Sequence, residues 1–314
     1  MSFVEPMQCK LVTELPEGEG WQYEVKWDGY RALAIRSGSR VSLLSRRNRS
    51  LADQFPEVRK ALESLEDGTI LDGEIVALNS TAKPSFNLLQ NYASENATIV
   101  YYAFDQLAYR RKDLSRLPLS KRSEVLERTL SGISDPIRRS AVLQASAPRV
   151  IQAVKKQGLE GIVAKRSGSR YESGQRSGQW VKFKTSQGQE FVVGGYRVGK
   201  NYFDNLAIGY YAGDRLLFVA KLKNGFTPAA RKSIADRLRN FETSKCPFSN
   251  LPEGKNTRRG EALTAEAMQN YRWIRPKLVV QADFTDWTAA NHLRHSRFVG
   301  LREDKEPREV TKEI

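Results

Sequence analysis

Residues 24–31 read Glu24-Val25-Lys26-Trp27-Asp28-Gly29-Tyr30-Arg31. Apolar residues recur in the flanking runs, Trp21 to Val25 and Tyr30 to Ile35, as they do in short strands, and Gly29 marks a turn between them. A lysine at the end of a strand, before a turn and followed by an arginine, is a candidate nucleophile. A free lysine amine has a pKa of about 10.4 and is inert while protonated. Cationic neighbours or desolvation would have to depress that value before it could attack. Taken alone, the segment equally fits an ordinary lysine at a hairpin.

Outward from this segment, strand and helix signals alternate over the first 190 residues. Val41 to Leu44, Thr69 to Leu78, Thr98 to Leu107 and Gly161 to Lys165 read as strands. Pro56 suits a first helical turn, Ser120 is placed to cap a helix through Leu130, and Gly158 is placed to close one carrying Val150, Ile151 and Val154. The Gly/Ser/Arg-rich residues 167–179 read as a mobile loop. After about residue 186 the texture changes to short β-rich runs with one helix from Pro228 to Phe241 and a loop from Pro247 to Gly260. That pattern suits a small barrel such as an OB-fold. The expected division is 1–187 and 188–314.

Composition narrows the function classes. At roughly 150 residues per domain, 314 residues suggest two. No stretch approaches the ~20 apolar residues of a spanning helix, and the start, MSFVEPMQCK, does not read as a signal peptide. Cys9 and Cys246 are the only cysteines, which argues against a disulfide scaffold and for a reducing compartment. With Lys plus Arg at 51 and Asp plus Glu at 36, the net charge of +15 points to a polyanionic partner.

Two motifs are decoys. Gly194 to Lys200 fits the phosphate-loop spacing, but Asn201 follows where Ser or Thr is needed, and the continuation is β-like. His292 and His295 lack further ligands and read as surface or phosphate-facing residues.

Other short segments bear on Lys26. Ser45-Arg46-Arg47 follows a strand. Leu71 to Val76 sets Glu74 in an apolar strand, and Tyr101 to Asp105 offers Phe104 in another. Glu160 stands where a helix cap meets a strand. In Trp180-Val181-Lys182-Phe183-Lys184 the alternation puts Lys182 and Lys184 on one side, where they call for a bound anion or open water.

In this order the segments resemble the covalent nucleotidyltransferases: ATP-dependent DNA ligases, RNA ligases and mRNA capping enzymes. The signature K-x-D-G-x-R is intact from Lys26 to Arg31, later motifs match at Glu74, Phe104, Glu160 and Lys182/Lys184, and the final motif matches at Arg294 to Lys305. The likeness spans nearly the whole chain. It is nearest to the ligase domain of bacterial end-joining DNA ligases, in EVKWDGYRAL and FTDWT…LRHSRFVGLREDK.

The resemblance implies an α+β adenylation domain followed by an OB-fold domain. It implies ATP as cofactor, AMP carried covalently on Lys26, and Mg²⁺ or Mn²⁺ on Glu160 with Glu74 assisting or holding the ribose. Lys182, Lys184, Arg31 and a divalent cation are expected to favour the neutral amine of Lys26. Phe104 would stack on adenine, Ile162 would close its other side, and Glu24 would accept from the adenine amine. Arg31 and Arg46 would meet ribose oxygens and the 5′-phosphate, and Arg302, Asp304 and Lys305 would orient pyrophosphate. One departure is Gln281-Ala282-Asp283, where related sequences often carry an acid before the FTxWT segment. The implied partner is nicked or broken duplex DNA, bound without regard to sequence, with end-binding repair proteins as further partners. The expected setting is a monomer in the bacterial cytoplasm, at the nucleoid. RNA ligation or capping is the alternative activity.

Overall fold

The computed structural model describes residues 2–90, 92, 97–185, 187–200, 202–254 and 262–313. The chain divides into two compact units, Met1–Thr185 and Ser186–Ile314. No described helix is long and apolar enough to cross a membrane.

The first unit contains β1 (Lys10–Leu11), β2 (Trp21–Lys26), β3 (Tyr30–Ser37), β4 (Arg40–Ser45), α1 (Pro56–Ala61), β5 (Thr69–Leu78), α2 (Phe86–Gln90), β6 (Thr98–Tyr109), β7 (Lys112–Asp113), α3 (Leu119–Leu130), β8 (Ile137–Arg139), α4 (Ala147–Gln157), β9 (Gly161–Arg166) and β10 (Trp180–Lys184). These form two sheets. One runs β1-β10-β9-β2, and the other runs β4-β3-β5-β6-β7 with β8 added beside β6. The motif around Lys26 bridges them, since β2 ends in the first sheet at Lys26 and β3 opens the second at Tyr30. The three residues Trp27-Asp28-Gly29 therefore fix how the two sheets meet.

Side-chain parity sorts the first sheet into two faces. Tyr23, Ile162, Ala164 and Val181 face Ala147, Val150 and Val154 of α4 in one core. Gly158 ends α4 with φ 68°, the left-handed cap that glycine adopts without strain. Gln22, Glu24 and Lys26 fall on the opposite face, with Val163, Lys165, Trp180, Lys182 and Lys184.

Two local expectations are corrected. Helix α3 begins at Leu119 after Pro118, and no side chain caps it, so Ser120 lies inside the helix. Residues 167–179 are tied down rather than loose. Ser167 O and Ser169 O accept from Ser120 N and Leu119 N, and Gln175 O accepts from Gln8 N at 2.8 Å.

The second unit contains β11 (Gly188–Val198), β12 (Phe203–Ala212), β13 (Arg215–Leu222), α5 (Pro228–Arg239), β14 (Glu242–Thr243), α6 (Ala265–Met268), β15 (Tyr271–Asp283), β16 (Asp286–Trp287), β17 (Leu293–Arg294) and β18 (Arg297–Leu301). Its main sheet runs β13-β12-β11-β15-β14, with β18 also on β15. Antiparallel pairing and one long helix over a core of Phe191, Leu206, Phe218, Ile234 and Val280 make the OB-type barrel sheet. The phosphate-loop look-alike starts inside β11 and runs past its end, so it opens no helix. His292 is not at the surface. It is 3% exposed, with Nδ1 at 3.0 Å from Val219 O and Nε2 at 2.7 Å from Glu253 Oε1. Residues 255–260 of the expected 247–260 loop lie outside the described residues.

Candidate active site

Lys26 ends β2 opposite Gly161, and its Nζ lies 2.5 Å from Glu160 Oε2. Burial alone would pull the proton affinity of this amine down. The negative charges of Glu160, Asp28 and Glu74 overcome it, so the pKa stands above the ordinary 10.5. Arg31, Lys182 and Lys184 do not outweigh these carboxylates at the nitrogen. Arg31 has its own partner, with Nε and Nη2 gripping Asp72 at 3.0 and 2.6 Å.

The motif glycines are required by close packing. A Cβ at Gly29 would lie 2.1 Å from Ile75 O and 3.0 Å from Glu74 Cγ, and one at Gly161 would lie 2.1 Å from Phe183 O. Gly29 thus lets the β2–β3 turn settle onto β5 directly over Glu74. Gly161 stands between Lys26 and Lys184 in one cross-strand row, so no side chain separates the two amines on that face. Lys182 occupies the next row, with Val163 and Glu24.

In the second sheet, Arg31, Glu74 and Tyr102 share a row. The register between β5 and β6 shifts from Asp72↔Asp105 to Gly73↔Ala103, leaving Phe104 as the extra residue of a bulge. Bulges re-aim side chains beside active sites. Here the freed Phe104 carbonyl accepts from Lys165 Nζ at 3.0 Å. The Phe104 ring lies 4.6 Å from that nitrogen and 5.4 Å from Arg31 Cζ.

One expected contact with adenine is corrected. Ile162 is fully buried in the core against α4, on the opposite face from Lys26. Its half-buried neighbour Val163 occupies the Lys26 face instead. Glu24 is 5% exposed, and its Oε1 lies 2.7 Å from Lys165 Nζ. Burial raises its pKa while Lys165 works against the rise. This carboxylate holds Lys165 in place. Arg46 is half-buried in the turn after β4, where Asn48 N donates to Ser45 O and Ser45 N to Arg49 O.

Several supporting residues gave no sign in the sequence. Lys165 is 1% exposed and lies 4.5 Å from the Trp180 ring centre. Arg122 and Asp105 form a fully buried ion pair, with Nη2 to Oδ2 at 2.7 Å. Only the register of three strands, not any one strand, reveals that Val163, Lys165 and Trp180 join Lys26 on one face.

In the second unit, Arg302 Nε and Nη2 donate to Asp304 at 2.9 and 2.8 Å, and Nη1 donates to Gln281 Oε1 at 2.9 Å. Gln281, at the departure noted in sequence, thus steadies the motif arginine. Lys305 pairs with Glu190 at 2.9 Å. Burial opposes the charge of Asp304, but Arg302 and Lys305 hold its pKa below 3.8.

The model described as ATP dependent DNA ligase domain matches residues 6–184, and that described as ATP dependent DNA ligase C terminal region matches residues 199–305. The chain is 34% identical over 321 residues to the multifunctional non-homologous end joining protein LigD of Pseudomonas aeruginosa, covering 99% of this chain and 37% of that protein. The chain therefore spans little more than a third of that relative. It is also 29% identical over 339 residues to DNA ligase C2 of Mycolicibacterium smegmatis, covering 98% of this chain and 93% of that one. Among solved structures, mycobacterial DNA ligase D complexed with ATP and MES superposes with a TM-score of 0.74 at 30% identity, covering 99% of this chain and 98% of that one. With an adenylation unit followed by an OB-fold unit and both family models matched along its length, the chain belongs to the ATP-dependent DNA ligases.

Proposed function

We propose that this chain seals 5′-phosphate/3′-hydroxyl breaks in duplex DNA through an AMP carried on Lys26, in DNA repair or end joining. The observation that carries the reading is the Lys26–Glu160 pair at the seam of the two sheets, with Glu74, Lys182 and Lys184 around it. Lys26 attacks the α-phosphorus, the N–P bond forms as pyrophosphate leaves, and the amine gives up its proton. The AMP then passes to the 5′-phosphate of the break, and the 3′-hydroxyl displaces it. Lys182 and Lys184 favour the charge that builds on the phosphate. Arg31 and Arg46 offer guanidinium forks to ribose oxygens and the 5′-phosphate. Phe104 and Val163 offer apolar surface to the base, and Arg302, Asp304 and Lys305 act on the pyrophosphate.

Glu160 and Glu74 are hard oxygen donors that suit Mg²⁺ or Mn²⁺. The fit is supported by the cation that Glu160 already holds, the Lys26 ammonium. Among the described residues no cluster of three or more acidic, Cys or His side chains gathers, so phosphate oxygens and water would complete the shell. When bound, the metal supplies positive charge that competes with the ammonium for Glu160, which eases deprotonation of Lys26.

A net charge of +15 supports sequence-tolerant, salt-sensitive duplex binding. A bacterial cytoplasmic monomer at the nucleoid, joined by end-binding repair proteins, fits this reading. The experiment is a panel of nicked, gapped, blunt-ended and RNA-containing duplexes with ATP and Mg²⁺. The proposal expects sealing of the all-DNA nick. Sealing only with RNA on the 3′-hydroxyl side, or labelling by GTP alone, would move the activity to RNA ligation or capping.

A further inference from the structure

Arg31 belongs to a closed ring of four residues drawn from four separate segments. Its Nε and Nη2 grip Asp72 of β5, which is fully buried. Asp72 Oδ2 accepts a third bond, from the Tyr171 hydroxyl at 2.7 Å. The same hydroxyl oxygen accepts from Met7 N at 2.9 Å, and Met7 O accepts from Arg31 Nη1 at 2.6 Å, which closes the ring. These bonds use three of the five N–H groups of the guanidinium and leave one on each Nη outside them.

The hydroxyl of Tyr171 is the keystone of this ring, because apart from the guanidinium itself it is the group that joins the carboxylate to the N-terminal segment. The surroundings reinforce it. The Tyr171 side chain is 6% exposed and stands edge-on to Trp180, with ring centres 5.7 Å apart. Gly174 N donates to Glu5 O, Gln8 N to Gln175 O, and Glu172 N to Met7 Sδ. Residues 5–8 are thus laced onto residues 171–175, as a strap across the base of Arg31. Removing the hydroxyl would leave Asp72 one donor short and Met7 N without its acceptor. The guanidinium would keep its salt bridge but lose the closure that fixes its tilt.

We propose that Tyr171 is a positioning residue that aims Arg31 at the nucleotide through Asp72 and the Met7 strap. The proposal rests on the reading of Arg31 as a nucleotide-binding residue given above.

The test is Tyr171→Phe, assayed by ATP-dependent labelling of Lys26. The expected result is a KM for ATP raised about fivefold or more with kcat within about twofold, as for a lost binding contact. In an Arg31→Lys background, which lacks the bidentate fork, adding Tyr171→Phe should change KM by less than about twofold. Tyr23→Phe is the matched control. It removes another buried hydroxyl, which donates to Pro16 O and belongs to the α4 face of the first sheet, away from Arg31. That control should lower thermal stability and leave the ATP KM in place. A wild-type KM in Tyr171→Phe, or full multiplication of the two effects in the double variant, would overturn the proposal. Failure of the wild-type chain to label at all would instead remove the nucleotide reading beneath it.

Discussion

Lys26 Nζ and Glu160 Oε2 are 2.5 Å apart across the mouth of the β2–β9 pair, so the expected nucleophile is held as an ammonium by the expected metal ligand. Glu160 is therefore predicted to govern the protonation of Lys26. In Glu160→Gln the largest charge raising the amine's pKa disappears, and burial is left to pull it down. The pH dependence of Lys26 acylation, read by peptide mass spectrometry without metal, should shift to lower pH. Adenylation in the same variant should fall by about 10²-fold, because an electrostatic partner of the reaction is lost. An unshifted midpoint would show that the ion pair does not control the amine.

The parity of β9 separates two adjacent residues. Ile162→Ala should destabilise the first unit by about 2–5 kcal/mol, as expected for a large-to-small change in a packed core, with the ATP KM little changed. Val163→Ala should do the reverse, weakening ATP with a small stability cost. Thermal melts and labelling kinetics on both variants decide the matter, and an ATP defect in Ile162→Ala alone would restore the original assignment.

Gly29→Ala should fail structurally. Its Cβ would meet the Ile75 carbonyl at 2.1 Å, and backbone must move to admit it. A cost of about 1–3 kcal/mol follows from overpacking. Because the turn ties Lys26 to Arg31, adenylation should drop more than stability does. A variant with normal melting and normal labelling would show that the turn has slack.

Asp304→Asn probes the second unit. The native pKa of Asp304 lies below 3.8, so its charge stabilises the fold above pH 3.8, and that contribution is lost as pH falls through the lowered value. At pH 7 the variant should be less stable by about 3–5 kcal/mol, since Arg302 loses a buried partner. The gap in melting temperature should shrink below pH 4. A gap independent of pH would point to lost shape, not lost charge.

Much of this molecule could be read from residue order alone. The strand Thr69–Leu78 and the cap at Gly158 were visible because period-2 runs and punctuating glycines are local signals. Lys26, Glu74 and Glu160 do gather, because β2 pairs with β9 and the turn at Gly29 seats on β5. What escaped was nonlocal. Ile162 and Val163 differ only in which face they take, and that is set by pairing with β2 and β10. The pKa of Lys26 depends on carboxylates distant in sequence, and Arg31 was neutralised by Asp72, 41 positions away. Residues 167–179 look mobile by composition, yet Tyr171 ties them to Asp72 and Met7.

The central claim is that one amine carries the nucleotide. Intact-mass analysis of the full chain after incubation with ATP and Mg²⁺, followed by peptide mapping, tests it directly. The account predicts one added adenylyl group on Lys26, absent in Lys26→Ala and released by pyrophosphate. No adduct on the wild-type chain, or an adduct mapped to any other residue, would contradict it.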